Sequence, residues 1–156
     1  MASTQGLKFL ADQGVAVTLH PYDYDPNADA VGLAAAAALG LDPALTLKTL
    51  MVEVDGMPGC CVLPSDRQLS MKKVAAGFAA KAAAMMPPAK AEKLTGYRVG
   101  GISPFGQKRG VPTLFDAASM GAPKVWINAG QRGLLLGIAP TEALRILRAR
   151  ALTLTA

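Results

Sequence analysis

The sequence predicts an α/β protein of the mixed α+β type, folded as one domain with a mixed β-sheet and helices on its outside. Helical and strand patterns alternate along the chain without an intervening linker or repeat. The 156 residues are 51% hydrophobic and 17% charged, which is enough apolar material to bury a sizeable core. An Asp-Gly dipeptide between two strand-like runs indicates an antiparallel hairpin.

The first predicted elements are a helix and a strand. Residues 3–12 have the spacing of an amphipathic helix, which stops at Gly14. Residues 15–22 then alternate between apolar and polar side chains, as in a half-buried strand.

A second helix and the hairpin follow. Asn27 or Asp29 can cap an Ala-rich helix over residues 30–39, because both residue types accept hydrogen bonds from the first free N–H groups of a helix. Residues 45–54 form a strand that ends at the Asp-Gly turn, and residues 59–63 return beside it.

The second half continues the same alternation. Ser70 can cap the third helix, and Pro88 occupies a first-turn position that suits the fourth. A last helix opens at Thr141 after Pro140. The predicted helices cover residues 71–80, 88–95 and 142–150, and the predicted strands cover residues 111–116, 124–129 and 134–138.

Residue counts argue against metal and redox chemistry. The chain has one histidine, His20, and two adjacent cysteines, Cys60 and Cys61, which give neither a zinc-ligand spacing nor a disulfide framework. We therefore expect no metal and no cofactor, a buried role for the cysteines and a structural role for His20 at a strand end. No apolar run approaches membrane-spanning length, so we expect a cytoplasmic protein with no membrane association.

The net charge of +5 is compatible with a phosphate-bearing partner, although many soluble domains carry a similar charge. Lys48 is more informative, because it shares the predicted strand face of Leu50 and Val52. Its ammonium group can extend to the sheet edge, or it can lie at the floor of a pocket where scarce water makes a cation strong. Composition leaves both placements open.

Residues 95–113, which we call the glycine segment, read TGYRVGGISPFGQKRGVPT and have neither a helical nor a strand period. Loops of this length inside a compact domain are uncommon, and many of them bind a ligand. The segment therefore predicts a binding site.

Four stretches in order, HPYDYDP, LKTLMVEVDG, MKKVA and TGYRVGGISPFGQKRGVPTLFDA, resemble the YbaK/EbsC proteins, which are free-standing relatives of the editing insertion domain of prolyl-tRNA synthetase. The resemblance implies one editing domain over residues 1–156, with a mixed sheet curled around a pocket. It also implies an aminoacyl-tRNA deacylase that clears cysteine from proline tRNA, with tRNA as partner and prolyl-tRNA synthetase as a second partner.

The resemblance assigns roles residue by residue. The family's lysine falls on Lys48, and the Gly-x-x-x-Pro loop, residues 100–104, would bring the N–H groups of Gly100 and Gly101 to the ester carbonyl. The implied substrate-binding residues are Tyr22, Thr49, Ile102, Ser103, Pro104 and Asn128. In the cysteine-specific branch the substrate thiol attacks its own ester carbonyl, so the enzyme need not supply a nucleophile.

Basic residues around the expected pocket mouth are predicted to contact the acceptor end of tRNA, although such residues also form ordinary solvated surfaces. They are Lys90, Lys93, Arg98, Lys108 and Arg109. The cations of the last helix are expected to face solvent.

The chain departs from the family in the stretch NAGQRGLL. Asn128 stands at the family's serine and Leu135 at its acidic position. Deacylation of alanine or serine, as in sister branches, therefore stays open. Two functions without deacylation also stay open: a module that binds aminoacyl-tRNA or the synthetase without turnover, and a domain that binds a small nucleotide ligand.

Overall fold

Two β-sheets form the framework of residues 3–156, which are the residues that the computed structural model describes. The strands are β1 (Thr18–Pro21), β2 (Leu47–Val54), β3 (Met57–Pro64), β4 (Ala83–Met85), β5 (Thr113–Asp116), β6 (Val125–Gln131), β7 (Leu134–Ile138) and β8 (Arg150–Leu152). The helices are α1 (Gln5–Asp12), α2 (Val31–Leu39), α3 (Met71–Gly77), α4 (Pro88–Thr95) and α5 (Pro140–Leu147), with a 3-10 turn at Ala117–Ser119.

The strand order is β1-β7-β6 in the first sheet and β4-β2-β3-β5-β8 in the second. The first sheet is antiparallel, whereas β3–β5 and β5–β8 are parallel pairs in the second. A parallel bridge between Thr46 and Trp126 connects the two sheets, and the Trp126 N–H donates to the Leu45 carbonyl at 2.9 Å. The predicted α/β class with mixed strand directions is confirmed, with the strands divided between two sheets.

Alternating side chains of β2 supply both hydrophobic cores. Met51 packs with Phe105, Phe115 and Ile127 in the main core between the sheets. Val52 faces the opposite side of the strand, where it packs beneath α3. β2 is therefore covered on both faces and provides a rigid support for the residues it carries.

Several predicted elements agree closely with the structure. α4 has the predicted bounds with Pro88 in its first turn, and the Ser70 side chain accepts a hydrogen bond from the Lys73 N–H at the start of α3. Asp55 and Gly56 both have positive φ angles, of 49° and 79°, as a two-residue hairpin turn requires.

Other predictions were wrong. Ala30 occupies the cap position in place of Asn27 or Asp29 and has no side chain to accept a hydrogen bond, because α2 begins at Val31, one residue later than predicted. The last helix ends at Leu147, since Arg148 is left-handed with φ 53° and Arg150 begins β8. The short strands β4 and β8 were not predicted.

The glycine segment is held firmly although it has no regular structure. The buried Tyr97 hydroxyl donates to the Phe105 carbonyl at 2.5 Å, and the Lys108 N–H donates to the Thr95 carbonyl at 2.8 Å. Gly106 has φ 65° and lies so close to the Gln5 carbonyl that a Cβ atom would collide with it. The segment is therefore fixed against α1. Among residues 3–156, no helix has the length and apolar character needed to cross a membrane.

Gly106→Ala should lower the free energy of unfolding by about 2 kcal/mol or more, because alanine adds left-handed strain and a backbone clash. Gly110→Ala is the matched control: a Cβ atom there would have no neighbour within 4 Å, and we expect a change within about 0.5 kcal/mol. Chemical denaturation measures both values, and equal stabilities would contradict the packing role of Gly106.

Candidate functional site

A cavity of about 490 Å³ opens between β2, the start of α2, α4, the glycine segment and the first sheet. Its volume is in the range of pockets that hold small molecules. Six of the predicted site residues line it, namely Tyr22, Lys48, Thr49, Gly100, Ile102 and Asn128. Apolar side chains supply much of the remaining wall, including Leu47, Met51, Met86, Ala91 and Leu135.

Lys48 is the cation in this wall. It is half-buried, and it takes part in neither of the two ion pairs within residues 3–156. Burial lowers the pKa of its ammonium group, because desolvation disfavours the charged form, and Asp66 opposes this shift. Lys48 therefore lies in the wall of a pocket rather than at an open sheet edge.

Two hydroxyl groups in the wall are buried without a hydrogen-bond partner. They are the Tyr22 phenol and the Thr49 Oγ1 atom. Burial raises the pKa of the Tyr22 phenol, and the nearby Gly133 backbone partly opposes this shift. The phenol and the Gly133 backbone do not form a hydrogen bond of normal geometry. Buried hydroxyls normally find partners, so both groups are suited to bind a polar ligand.

The glycine segment places Gly100 and Ile102 in the cavity wall, and neither backbone N–H makes a hydrogen bond within residues 3–156. Gly100 lines the wall with φ 89°, and its N–H makes no hydrogen bond within residues 3–156. The Gly101 N–H instead donates to the Arg98 carbonyl at 2.8 Å. Gly101 was predicted to offer its N–H to a substrate carbonyl, and this internal bond already occupies that group.

Ser103 and Pro104 are buried behind the cavity wall. The Ser103 side chain accepts the Phe105 N–H at 3.2 Å, and its carbonyl accepts from the Gln107 side chain at 3.0 Å. In this structure both groups of Ser103 hold the segment together, and neither residue lines the cavity.

The five basic residues predicted to contact tRNA are all exposed and lie outside the cavity lining. Lys90 forms an ion pair with Glu53 at 2.6 Å, and its neighbours on α4, Pro88 and Ala91, line the cavity. Arg98 precedes the lining residue Val99. Lys90 and Arg98 are thus adjacent in sequence to the wall, whereas Lys93, Lys108 and Arg109 have no adjacent lining residue.

Part of the wall was missed from the sequence. Val31 and Gly32 at the start of α2 line the cavity, as does Asp29 just before the helix, and a Cβ atom on Gly32 would collide with the Ser65 side chain. A glycine within an otherwise Ala-rich helix is a signal of such close packing. This glycine is visible in the sequence, but the sequence does not reveal which element the helix contacts.

The histidine and the cysteines lie outside the cavity lining. The His20 Nε2 atom is 2.8 Å from the Thr18 hydroxyl, and burial together with Lys124 lowers the pKa of its ring. Cys60 and Cys61 are free and buried, and burial raises the pKa of each thiol to about 12. Within residues 3–156, no three His, Cys, Asp or Glu side chains are grouped as a metal site requires.

Comparison with known proteins identifies the fold and the family. The aminoacyl-tRNA editing domain family matches residues 25–146. The chain is 30% identical over 112 residues to EbsC of Enterococcus faecalis, a proposed Cys-tRNA(Pro)/Cys-tRNA(Cys) deacylase; the match covers 71% of this chain and 68% of that protein.

Two solved structures share the fold. A proposed trans-editing enzyme for prolyl tRNA synthetase is 21% identical with a TM-score of 0.83, covering 100% of this chain and 99% of the other. A protein described only as hypothetical is also 21% identical, with a TM-score of 0.86 over 98% of this chain and 100% of its own. The match over residues 25–146 includes most of the cavity wall, and the chain belongs to the aminoacyl-tRNA editing domain family.

Proposed function

We propose that this protein is a trans-editing aminoacyl-tRNA deacylase that removes cysteine, or another small amino acid, from mischarged proline tRNA. Its family and its relative EbsC, a proposed deacylase of cysteinyl-tRNA, support this reaction class. The proline tRNA and a partnership with prolyl-tRNA synthetase are supported by the structural neighbour described as an editing enzyme for that synthetase.

The observation that carries the proposal is a cavity with groups to bind an ester but no activated nucleophile. Lys48, Thr49 with its unpartnered hydroxyl and Gly100 with its free N–H are among the lining residues. Its described lining contains no cysteine and no histidine, so Thr49 has no imidazole to activate it. Such a cavity is suited to a substrate that supplies its own nucleophile.

In the proposed reaction the cysteinyl sulfur attacks the carbonyl carbon of its own ester. The new C–S bond closes a thiolactone ring, the C–O bond to the terminal ribose breaks, and the ribose oxygen leaves with the proton that the thiol gives up. Water then opens the ring to cysteine. The chain's contribution is to hold the thiol near the carbonyl and to stabilise the negative charge on the carbonyl oxygen.

The Gly100 N–H is the proposed donor to that oxygen, and one such donor contributes roughly 3–4 kcal/mol. Lys48 would hold the ribose or phosphate end of the terminal nucleotide, where its partial desolvation strengthens the attraction to an anion. Tyr22 and Thr49 would bind polar groups of the substrate. The wall of Ile102 and neighbouring apolar side chains would limit the size of the amino acid.

Leu135 favours a second candidate within the same class. Its buried, apolar side chain lines the cavity where family members often carry an acid, so polarity in this wall is reduced. An apolar wall suits the methyl group of alanine, and because alanine has no side-chain nucleophile, a water molecule would attack its ester. Asp29 is the carboxylate among the described lining residues, and it would be the candidate base.

For tRNA binding, the proposed surface comprises the exposed cations Lys90, Lys93, Arg98, Lys108 and Arg109. Lys90 already pairs with Glu53, so its contribution would require that surface ion pair to open at small cost. Lys108 and Arg109 take part in no ion pair within residues 3–156.

Lys48→Ala should lower kcat/KM for deacylation by about 100-fold, or roughly 2.7 kcal/mol, while the protein stays folded, because the variant removes the cation of the cavity. Lys72→Ala removes an exposed lysine of α3 and should leave the rate unchanged. Single-turnover assays on misacylated proline tRNA measure both. Near-normal cleavage by a folded Lys48→Ala variant would refute the role of this lysine.

Reversal of charge in Lys108→Glu with Arg109→Glu should weaken tRNA binding and reduce the log–log salt slope by about one to two units, since two phosphate contacts would be lost. Cleavage of a minimal aminoacyl-adenosine ester should not change. Filter binding across a salt series gives the slope, and an unaltered slope would remove these two residues from the tRNA surface.

Cysteinyl-tRNA should be cleared far faster than seryl-tRNA, although the two side chains differ by one atom and a small pocket separates them only weakly by size. Rapid quenching should capture a thiolactone before free cysteine appears. Equal rates without a cyclic product would rule out attack by the substrate thiol. Faster cleavage of alanyl-tRNA would instead support the water route.

A further inference from the structure

Residues 128–133, which comprise the end of β6 and the turn into β7 and which we call the β6–β7 turn, contact the glycine segment at the cavity. The β6–β7 register is interrupted between Asn128 and Gln131, which leaves a bulge in β6. A Cβ atom on Gly101 would lie 2.8 Å from the Arg132 backbone nitrogen, so the two backbones approach as closely as glycine allows.

Asn128 joins the bulge to the segment with a single side chain. Its Oδ1 atom accepts the Gly130 N–H at 2.7 Å and the Gln131 N–H at 3.1 Å. Its Nδ2 group donates to the Gly100 carbonyl at 3.3 Å. The oxygen of Asn128 thus shapes the turn while its nitrogen holds the segment.

Arg132 holds the Val99–Gly100 peptide group by its carbonyl. Its Nε–H donates to the Val99 carbonyl at 2.9 Å, and its guanidinium carbon lies 5.2 Å from the centre of the Tyr24 ring. The Tyr24 hydroxyl in turn occupies the space where a Cβ atom of Gly100 would be. Tyr24 and Arg132 therefore restrain the segment from one side.

These contacts fix the direction of the Gly100 N–H group. The Val99 carbonyl and the Gly100 N–H belong to one planar trans peptide group and point in opposite directions. A donor that holds the carbonyl therefore fixes the N–H as well. Glycine at φ 89° would otherwise reorient at little cost, whereas charge stabilisation requires a donor that is already in place.

We propose that Arg132 and Asn128 are positioning residues, which hold the Val99–Gly100 and Gly100–Gly101 peptide groups so that the Gly100 N–H is aimed at the reacting carbonyl. The proposal rests on the deacylase function argued above. It gives Asn128 a role through the segment in place of the substrate contact that the family resemblance implied. The Gly101 N–H bond to Arg98 completes the restraint of the second peptide group.

Kinetics with a minimal aminoacyl-adenosine ester test the catalytic part, because this substrate has no tRNA phosphates for Arg132 to attract. Arg132→Ala and Asn128→Asp should each lower kcat by about tenfold with KM within about twofold. Asn128→Asp keeps the oxygen that accepts the turn N–H groups and loses the donor to Gly100. Arg145→Ala removes an exposed arginine whose Nε also donates a hydrogen bond, and it should retain the wild-type kcat. An unchanged kcat, or a loss confined to KM, would overturn the proposal.

Amide hydrogen exchange tests the restraint without any substrate. In Asn128→Asp the Gly101 amide should exchange at least about fivefold faster than in the wild type, because its peptide group loses the bond at its carbonyl. Unchanged exchange would overturn the positioning role whatever the activity. A wild-type protein that cleaves no ester would overturn the proposed function, and the exchange rates alone would then decide whether the turn holds the segment.

Discussion

The close approach of the glycine segment to other backbone is the constraint on which the cavity depends. Gly106 packs on Gln5 of α1, and Gly101 packs on the β6–β7 turn, in each case without space for a Cβ atom. Glycine is conformationally free in an unfolded chain, so ordering this segment costs entropy. Buried contacts such as the Tyr97 hydrogen bond to Phe105 offset that cost. The result is a rigid wall made from residues with little intrinsic preference for any conformation.

The sequence predicted elements whose ends are set by local chemistry. Pro88 and the left-handed Gly96 delimit α4, and the Asp-Gly turn sets the register of β2 against β3. β4 and β8 were missed because each has three residues and exists through pairing with a strand distant in sequence. The predicted cap at Asn27 or Asp29 was wrong because α2 begins at Val31, which puts Ala30 in the cap position.

Part of the candidate site could also be predicted from the sequence. The glycine segment and Lys48 could be singled out from composition and strand period, and the family resemblance joined them into one site. The sequence could not show that the Gly101 N–H is occupied by Arg98 while the Gly100 N–H is free. Nor could it place the start of α2 in the wall, because that contact depends on packing between Gly32 and Ser65.

The burial of Cys60 and Cys61 also determines how the protein tolerates thiol chemistry. Burial raises the pKa of each thiol, so the reactive thiolate form is disfavoured at neutral pH. Disulfide exchange requires a solvent-accessible thiolate, and both cysteine side chains are buried. Neither cysteine is therefore suited to form a mixed disulfide or a sulfenic acid, and each acts as a small buried apolar side chain.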